Sequence, residues 1–294
     1  MNLTESILNY KRYLKRKNFS TQSTKSYLSR LEHYLVWLPV SVESATKTHV
    51  KMYLDLLLEN GLAPKTINER LVAIRSFYLY LAKEEGKMIT NPVSSGLALR
   101  LPKPLPRDIR ERELDRFLAV IKKKRDRALF MLMLRCGLRV AETAGLELSA
   151  IDYQRNQIIV RNGKGAKDRI TYISNDAAEA LAAYLQVRPS TKEDKVFLVE
   201  KGVHKCKPLS VRGIQKRMEY YSRKSGVSMS CHRLRHTMAT QLLNAGSDLV
   251  IIQELLGHKR IETTMRYSRL SNLKIQSDYY KAMDRVMRGE YEKQ

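Results

Sequence analysis

Residues 91–107 read NPVSSGLALRLPKPLPR, and the four prolines and the Ser-Ser-Gly run forbid a continuous helix through this stretch. On both sides of it apolar residues recur at spacings of three and four, the pattern of helices that bury one face. A chain of 294 residues interrupted in this way is expected to fold as two bodies, because single domains usually hold roughly 100–200 residues. The reading is an N-terminal domain over 1–95, a linker over 96–107 and a second domain over 108–294.

The first body reads as four helices. The second of them carries Tyr27, Leu31, Tyr34, Leu35 and Leu38 on one stripe, and the third, over 48–60, turns Val50, Tyr53, Leu54, Leu57 and Leu58 inward. The fourth begins at Pro64, where the missing N–H costs nothing, and continues through Ile67, Leu71, Ile74, Tyr78 and Leu81. Beyond the linker, helical patterns in ERELDRFLAVIKK and RDRALFMLMLRCGL precede two short strands, 158–160 and 169–173, joined by the turn-forming NGKGAK. A helix over 176–186, a strand over 196–198 and further helices complete the expectation. The fold class is mainly α: a four-helix bundle, then a mostly helical domain with a small antiparallel sheet. Near the end, 277–288 predicts a helix with Tyr280, Met283 and Met287 on one face.

Lys and Arg outnumber Asp and Glu by 54 to 30, a net charge of +24. That excess favours a polyanionic partner, with nucleic acid ahead of a membrane surface. The three cysteines, Cys136, Cys206 and Cys231, include no CxxC pair, so neither a disulfide framework nor a zinc ribbon is expected and a reducing cytoplasm fits. No signal-peptide h-region and no long uncharged apolar run is present, so no membrane association is expected.

Chemistry concentrates in CHRLRHTMATQLLNAGSDLVIIQELLGHKRIETTMRYSRL, residues 231–270. On a helix His232 and Arg235 share a face, so an imidazole able to accept a proton near neutral pH and a guanidinium fork converge on one phosphate. His232 and His236 also have the spacing of a helical metal pair. They lack the intervening Glu and further ligands, so no metal is assigned and no cofactor is expected. Taken singly, each group has a plain reading: Tyr267 is one of 16 tyrosines, Lys164 sits in a charged turn, and Arg139 is a surface arginine.

Taken together, five ordered boxes resemble the tyrosine recombinases, the phage-integrase family that includes Xer-type and transposon-borne resolvases. They are Gly137-Leu138-Arg139-Val140-Ala141-Glu142, Gly163-Lys164-Gly165-Ala166-Lys167, His232-Arg233-Leu234-Arg235-His236, Leu256-Gly257-His258, and Tyr267 nine residues further on. One departure is Thr143, where many members carry Leu. The resemblance implies that the N-terminal bundle is a core-binding, SAM-like domain and that Arg139, Lys164, His232, Arg235, His258 and Tyr267 are catalytic.

It further implies attack by the Tyr267 hydroxyl on a DNA phosphate to give a 3′-phosphotyrosine, with strand exchange through a Holliday junction and no need of metal or ATP. In that scheme Arg139 and Arg235 clamp the phosphate, His232 accepts the tyrosine proton, His258 adds a hydrogen bond and Lys164 protonates the leaving oxygen. Glu142 and His236 support them from behind. The implied partners are double-stranded DNA, clamped between the two bodies, and three further copies in a tetramer on two sites, with accessory proteins left open. The tail would pack on a neighbouring copy, the competing reading being that it packs in cis, and the location would be the cytoplasm, at the nucleoid. On the bundle, Lys25, Ser29 and Arg30 of the second helix and Lys65, Asn68 and Arg75 of the fourth are offered as groove contacts. The competing functions are a type IB topoisomerase and an accessory DNA-binding protein that has lost the chemistry.

Overall fold

A computed structural model describes residues 2–101, 109–161, 168–257, 279–280, 283–284 and 286–288. The chain divides into two compact units, Met1–Pro104 and Leu105–Gln294. The first unit is built from α1 (Leu3–Arg16), α2 (Thr21–Trp37), α3 (Lys47–Glu59) and α4 (Pro64–Lys83). Local sequence starts these helices: the Asn2 and Ser20 side chains accept from the backbone N–H groups of Glu5 and Ser23, and Pro64 opens α4. Ile67, Leu71, Ile74, Tyr78 and Leu81 are all buried, and α4 packs on α2 and α1. Tyr10, Tyr34, Tyr53, Phe77 and Tyr78 fill the centre with edge-on ring contacts. Burial pushes the Tyr10 phenol up to about 12, and its hydroxyl donates to Ser76 Oγ at 2.8 Å.

Leu58 does not turn inward as expected but is 47% exposed. The stripe of α3 is narrow, Val50–Tyr53–Leu54–Leu57, and Leu58 lies at its edge in the last turn. After α4 the segment 91–101 stays attached to the first unit, with Val93 and Leu97 in its core. Arg75 donates to the carbonyls of Val93 and Ser94 at 3.2 and 2.6 Å, and the Asn68 amide makes a two-point pairing with the Leu99 peptide, both bonds 2.8 Å.

The second unit contains α5 (Glu111–Ala119), α6 (Lys124–Arg135), α7 (Val140–Gly145), β1 (Ile151–Asp152), β2 (Gln157–Val160), β3 (Arg169–Tyr172), α8 (Asn175–Leu185), α9 (Val211–Ser225), α10 (Cys231–Asn244) and α11 (Leu249–Leu256). Its centre is α6, whose Ala128 through Leu134 are all buried, as in a helix covered on every side by α7, α8 and α10. The sheet runs β1-β2-β3, antiparallel throughout, with Ile159 opposite Ile170. No strand forms over 196–198, contrary to expectation. The peptide groups there are taken by other partners: Val196 N–H donates to the Leu146 carbonyl, and the Val196 carbonyl accepts from the Tyr184 hydroxyl and Arg188 Nε. Only isolated bridges, Glu147 with Lys195 and Leu198 with Pro208, remain. Among the described residues no helix is long and apolar enough to cross a membrane.

Candidate active site

The site begins where the chain leaves α6. Gly137 has φ +63°, and a Cβ on it would meet Met238 Sδ at 2.6 Å and Leu256 Cδ2 at 2.8 Å. Both the backbone conformation and the space demand glycine, which lets this turn press against α10 and α11. Two residues on, Arg139 is the N-cap of α7, and Glu142 in the first turn accepts its backbone N–H at 2.7 Å. The same carboxylate takes Arg139 Nη1 at 2.7 Å.

Helix α10 starts at Ser230, whose side chain accepts from Arg233 N–H, and carries His232, Arg235 and His236. Arg235 is 2% exposed and donates to the carbonyls of Gly137 and Leu256. His232 lies exposed one turn earlier, with its Nε2 2.7 Å from Nε2 of His236 and the two rings at 80°. Contact between two ring nitrogens requires that one hold the proton and the other accept it. Burial raises the adjacent Cys231 thiol to about 11, which keeps it protonated near neutral pH. Among the described residues no three His, Cys, Asp or Glu side chains group to hold a metal ion.

Helix α11 ends at Gly257, in the left-handed region at φ +59°. Three arginines from three other elements close its carbonyl end. Arg169 Nε donates to Leu255 at 2.9 Å, Arg139 Nη2 to Leu256 and Gly257 at 3.2 and 3.1 Å, and Arg235 to Leu256. Cations here are favoured twice over, by the unpaired carbonyls and by the negative end of the helix dipole. Glu142 ties two of the three together, because Arg169 also grips it with both Nη groups at 2.8 Å. Burial alone would raise the Glu142 carboxyl, but the hydrogen bonds and charges of Arg169 and Arg139 outweigh it and hold it at about 2.

Arg169 is the residue that sequence reading passed over. In β3 the alternation is inverted: Ile170 and Tyr172 are 49% and 57% exposed, whereas Thr171 is buried and donates to the Cys136 carbonyl at 2.8 Å. Arg169, two positions from Thr171, shares its inward face. An arginine on the buried face of a strand whose hydrophobes point out is the signal that could have revealed it.

Arg139, Glu142 and Arg235 thus come together at the carbonyl end of α11, while His232 and His236 pair with each other on α10. Lys164, His258 and Tyr267 lie outside the described residues; Val160 and Arg169 end the strands on either side of the first, and Gly257 immediately precedes the second. Of the bundle residues offered as groove contacts, Asn68 and Arg75 have a task not foreseen, holding 91–101, and Arg30 is ion-paired with Glu69. Lys25, Ser29 and Lys65 are exposed.

Comparison with known proteins agrees with this geometry. Residues 107–273 match the model of the phage integrase family, and residues 7–85 match the N-terminal SAM-like domain of phage integrases. The tyrosine recombinase XerA of Thermococcus kodakarensis is 32% identical over 271 residues, 91% of this chain and 91% of that protein. A crystal structure of XerA recombinase is 25% identical, with a TM-score of 0.55, over 95% of this chain and 98% of the other. A lambda integrase dimer bound to a COC′ core site shares the fold at 18% identity, with a TM-score of 0.75, over 91% and 95% of the two chains. This chain belongs to the phage integrase family and is a tyrosine recombinase, an enzyme of site-specific DNA strand exchange.

Proposed function

We propose that the chain cleaves one DNA strand by attack of the Tyr267 hydroxyl on a phosphate held by Arg139 and Arg235, with His232 as proton acceptor. One observation carries this reading: Arg139 and Arg235, far apart in sequence, both donate to the carbonyl of Leu256, with His232 one turn from Arg235. A phenol with pKa about 10 is a weak nucleophile at neutral pH and needs a base and charge stabilisation. The imidazole supplies the first and the two guanidinium groups the second, on the non-bridging oxygens where negative charge builds up. Lys164 protonates the departing 5′-oxygen and His258 adds a hydrogen bond to the phosphate. The product is a 3′-phosphotyrosine, and a partner strand's 5′-hydroxyl reverses the step without ATP. Two arginines at the phosphate do the work that metal ions do in two-metal nucleases.

The substrate is double-stranded DNA, which the net charge of +24 favours, and the exchange runs in a tetramer on two sites through a Holliday junction in the cytoplasm. The exposure of Tyr280, Met283 and Met287, at 62%, 37% and 80%, supports a tail that packs on a neighbouring copy. To test the reading, genomic fragments are incubated with the chain in EDTA, DNA joined covalently to denatured protein is recovered, and its ends are sequenced. Recovery of one recurrent site, lost in Arg235→Ala, is expected. Ends scattered without a common sequence would point to topoisomerase-like relaxation, and cutting that needs Mg²⁺ and leaves ends free of protein would point to a metallonuclease.

A further inference from the structure

We infer that Arg169 is a positioning residue for strand cleavage, which fixes the guanidinium of Arg139 through Glu142 and holds the end of α11 in register with it. The inference rests on the role given to Arg139 above. Four observations converge on it. Arg169 is only 8% exposed, and its fork meets Glu142 in two parallel bonds of 2.8 Å, the geometry that fixes a carboxylate in orientation as well as in place. Glu142 then has two donors besides: the backbone N–H and Nη1 of Arg139, both at 2.7 Å, complete a carboxylate that can neither rotate nor move without carrying Arg139 along. The remaining Nε–H of Arg169 goes to the Leu255 carbonyl, next to the carbonyls of Leu256 and Gly257 that Arg139 itself touches. Finally, a Cβ on Gly257 would lie 3.0 Å from Arg169 Cδ, so the stem of Arg169 packs against the backbone from which His258 follows.

Lysine cannot substitute. It has the charge but neither the planar fork nor the third donor aimed along the stem, so it can neutralise Glu142 without orienting it. Second-layer partners of this kind are typically worth about 10–100-fold in rate when removed. Arg169 opens β3, on the C-terminal side of the segment that contains Lys164, and this gives the rival account: Arg169 serves the lysine rather than Arg139. The two accounts differ in substrate dependence. A bridging sulfur makes a leaving thiolate with pKa near 8.5 that needs no acid, so a defect acting through Lys164 disappears on that substrate and one acting through Arg139 does not.

The experiment uses the full chain and a nicked duplex that carries the recurrent site recovered from trapped adducts, and measures single-turnover cleavage at saturating DNA beside half-site binding. Arg169→Gln should cleave about 100-fold and Arg169→Lys about 10-fold more slowly than wild type, with half-site affinity unchanged within about 2-fold. The bridging-sulfur duplex should not restore either. In Arg139→Lys, which keeps a charge and a measurable rate, adding Arg169→Lys should slow cleavage by less than about 2-fold, because its effect is already spent; independent residues would multiply. Should the glutamine variant unfold, the lysine variant and the cycle carry the test alone. Wild-type cleavage by Arg169→Lys, rescue by sulfur, or multiplicative loss in the double variant each overturns the inference. Wild-type cleavage by Arg139→Lys would instead sink the role of Arg139 on which it stands.

Discussion

Among the described residues of the second unit, Asp126 and Glu142 are each held by two arginines, and the two clusters differ in what else those arginines touch. Asp126 is completely buried and accepts Arg125 Nε and Nη2 at 2.9 and 2.7 Å on one oxygen, and Arg217 Nε and the Tyr221 hydroxyl at 2.8 and 3.0 Å on the other. Burial, and then the Asp126 charge, pushes the Tyr221 phenol up to about 12. The Arg125 group that is left caps the Leu198 carbonyl at 3.0 Å. Here the cationic donors end mostly on a charged acceptor in a dry interior, and the result is a staple joining α6 to α9. Glu142 is gripped just as firmly, but the second amino group of Arg139 rests on neutral main-chain carbonyls. Arg235 likewise donates to neutral carbonyls, those of Gly137 and Leu256. A phosphate oxygen carries full charge and forms hydrogen bonds roughly twice as strong as a carbonyl does, so it can displace these acceptors. What separates a staple from an anion site is the acceptor an arginine is given while it waits.

The comparison can be broken with two conservative substitutions. Asp126→Asn strands two guanidinium groups in the interior and should cost about 3–5 kcal/mol of stability, read by urea unfolding, while cleavage per folded molecule stays at the wild-type level. A loss below about 1 kcal/mol, within the range of an ordinary surface pair, would mean that Asp126 is no staple. Glu142→Gln should do the reverse: about 1–3 kcal/mol of stability, but a fall of about 10–100-fold in cleavage, with half-site binding maintained. Equal effects of the two substitutions on cleavage would erase the distinction.

The smaller, sharper effect is in acid. Glu142 has a folded value of about 2 against an ordinary 4.5, so it binds fewer protons in the folded chain than in the unfolded one. Its contribution to stability is therefore complete above about pH 4.5 and declines as the pH falls towards 2. Between those limits wild-type stability should drop more steeply than that of Glu142→Gln, as seen in unfolding midpoints taken across the range; parallel curves would mean that the carboxyl is not held down by Arg169 and Arg139.

Much of the fold was legible because the helices obey their period: Ile67, Leu71, Ile74, Tyr78 and Leu81 read as one stripe and are buried as one. The strand expected over 196–198 failed because an apolar run carries no record of where its peptide groups will bond, and Tyr184, Arg188 and Leu146 supplied the partners. β1 is two residues long, too short to show alternation. At the site, the ordered boxes point to Arg139, Glu142, His232 and Arg235 because the chemistry depends on residue identity. Arg169 escaped because its bonds to Glu142 span 27 positions, and the only local trace they leave is that the hydrophobes of β3 point outward. Asn68 and Arg75 bond to the 91–101 segment, a task their spacing does not announce, because a polar helix face looks the same whether it meets DNA or its own chain.

The central claim is that Tyr267 becomes joined to DNA, and it is tested most directly by trapping. Wild-type chain and Tyr267→Phe are incubated with the nicked duplex, denatured and digested, and the peptide linked to DNA is sequenced by mass spectrometry. The account predicts a phosphotyrosyl peptide centred on Tyr267 in the wild type and no adduct in the phenylalanine variant, which binds the duplex as well as wild type does because only the attacking oxygen is gone. An adduct in Tyr267→Phe, or a wild-type peptide joined through another of the 16 tyrosines, would contradict it.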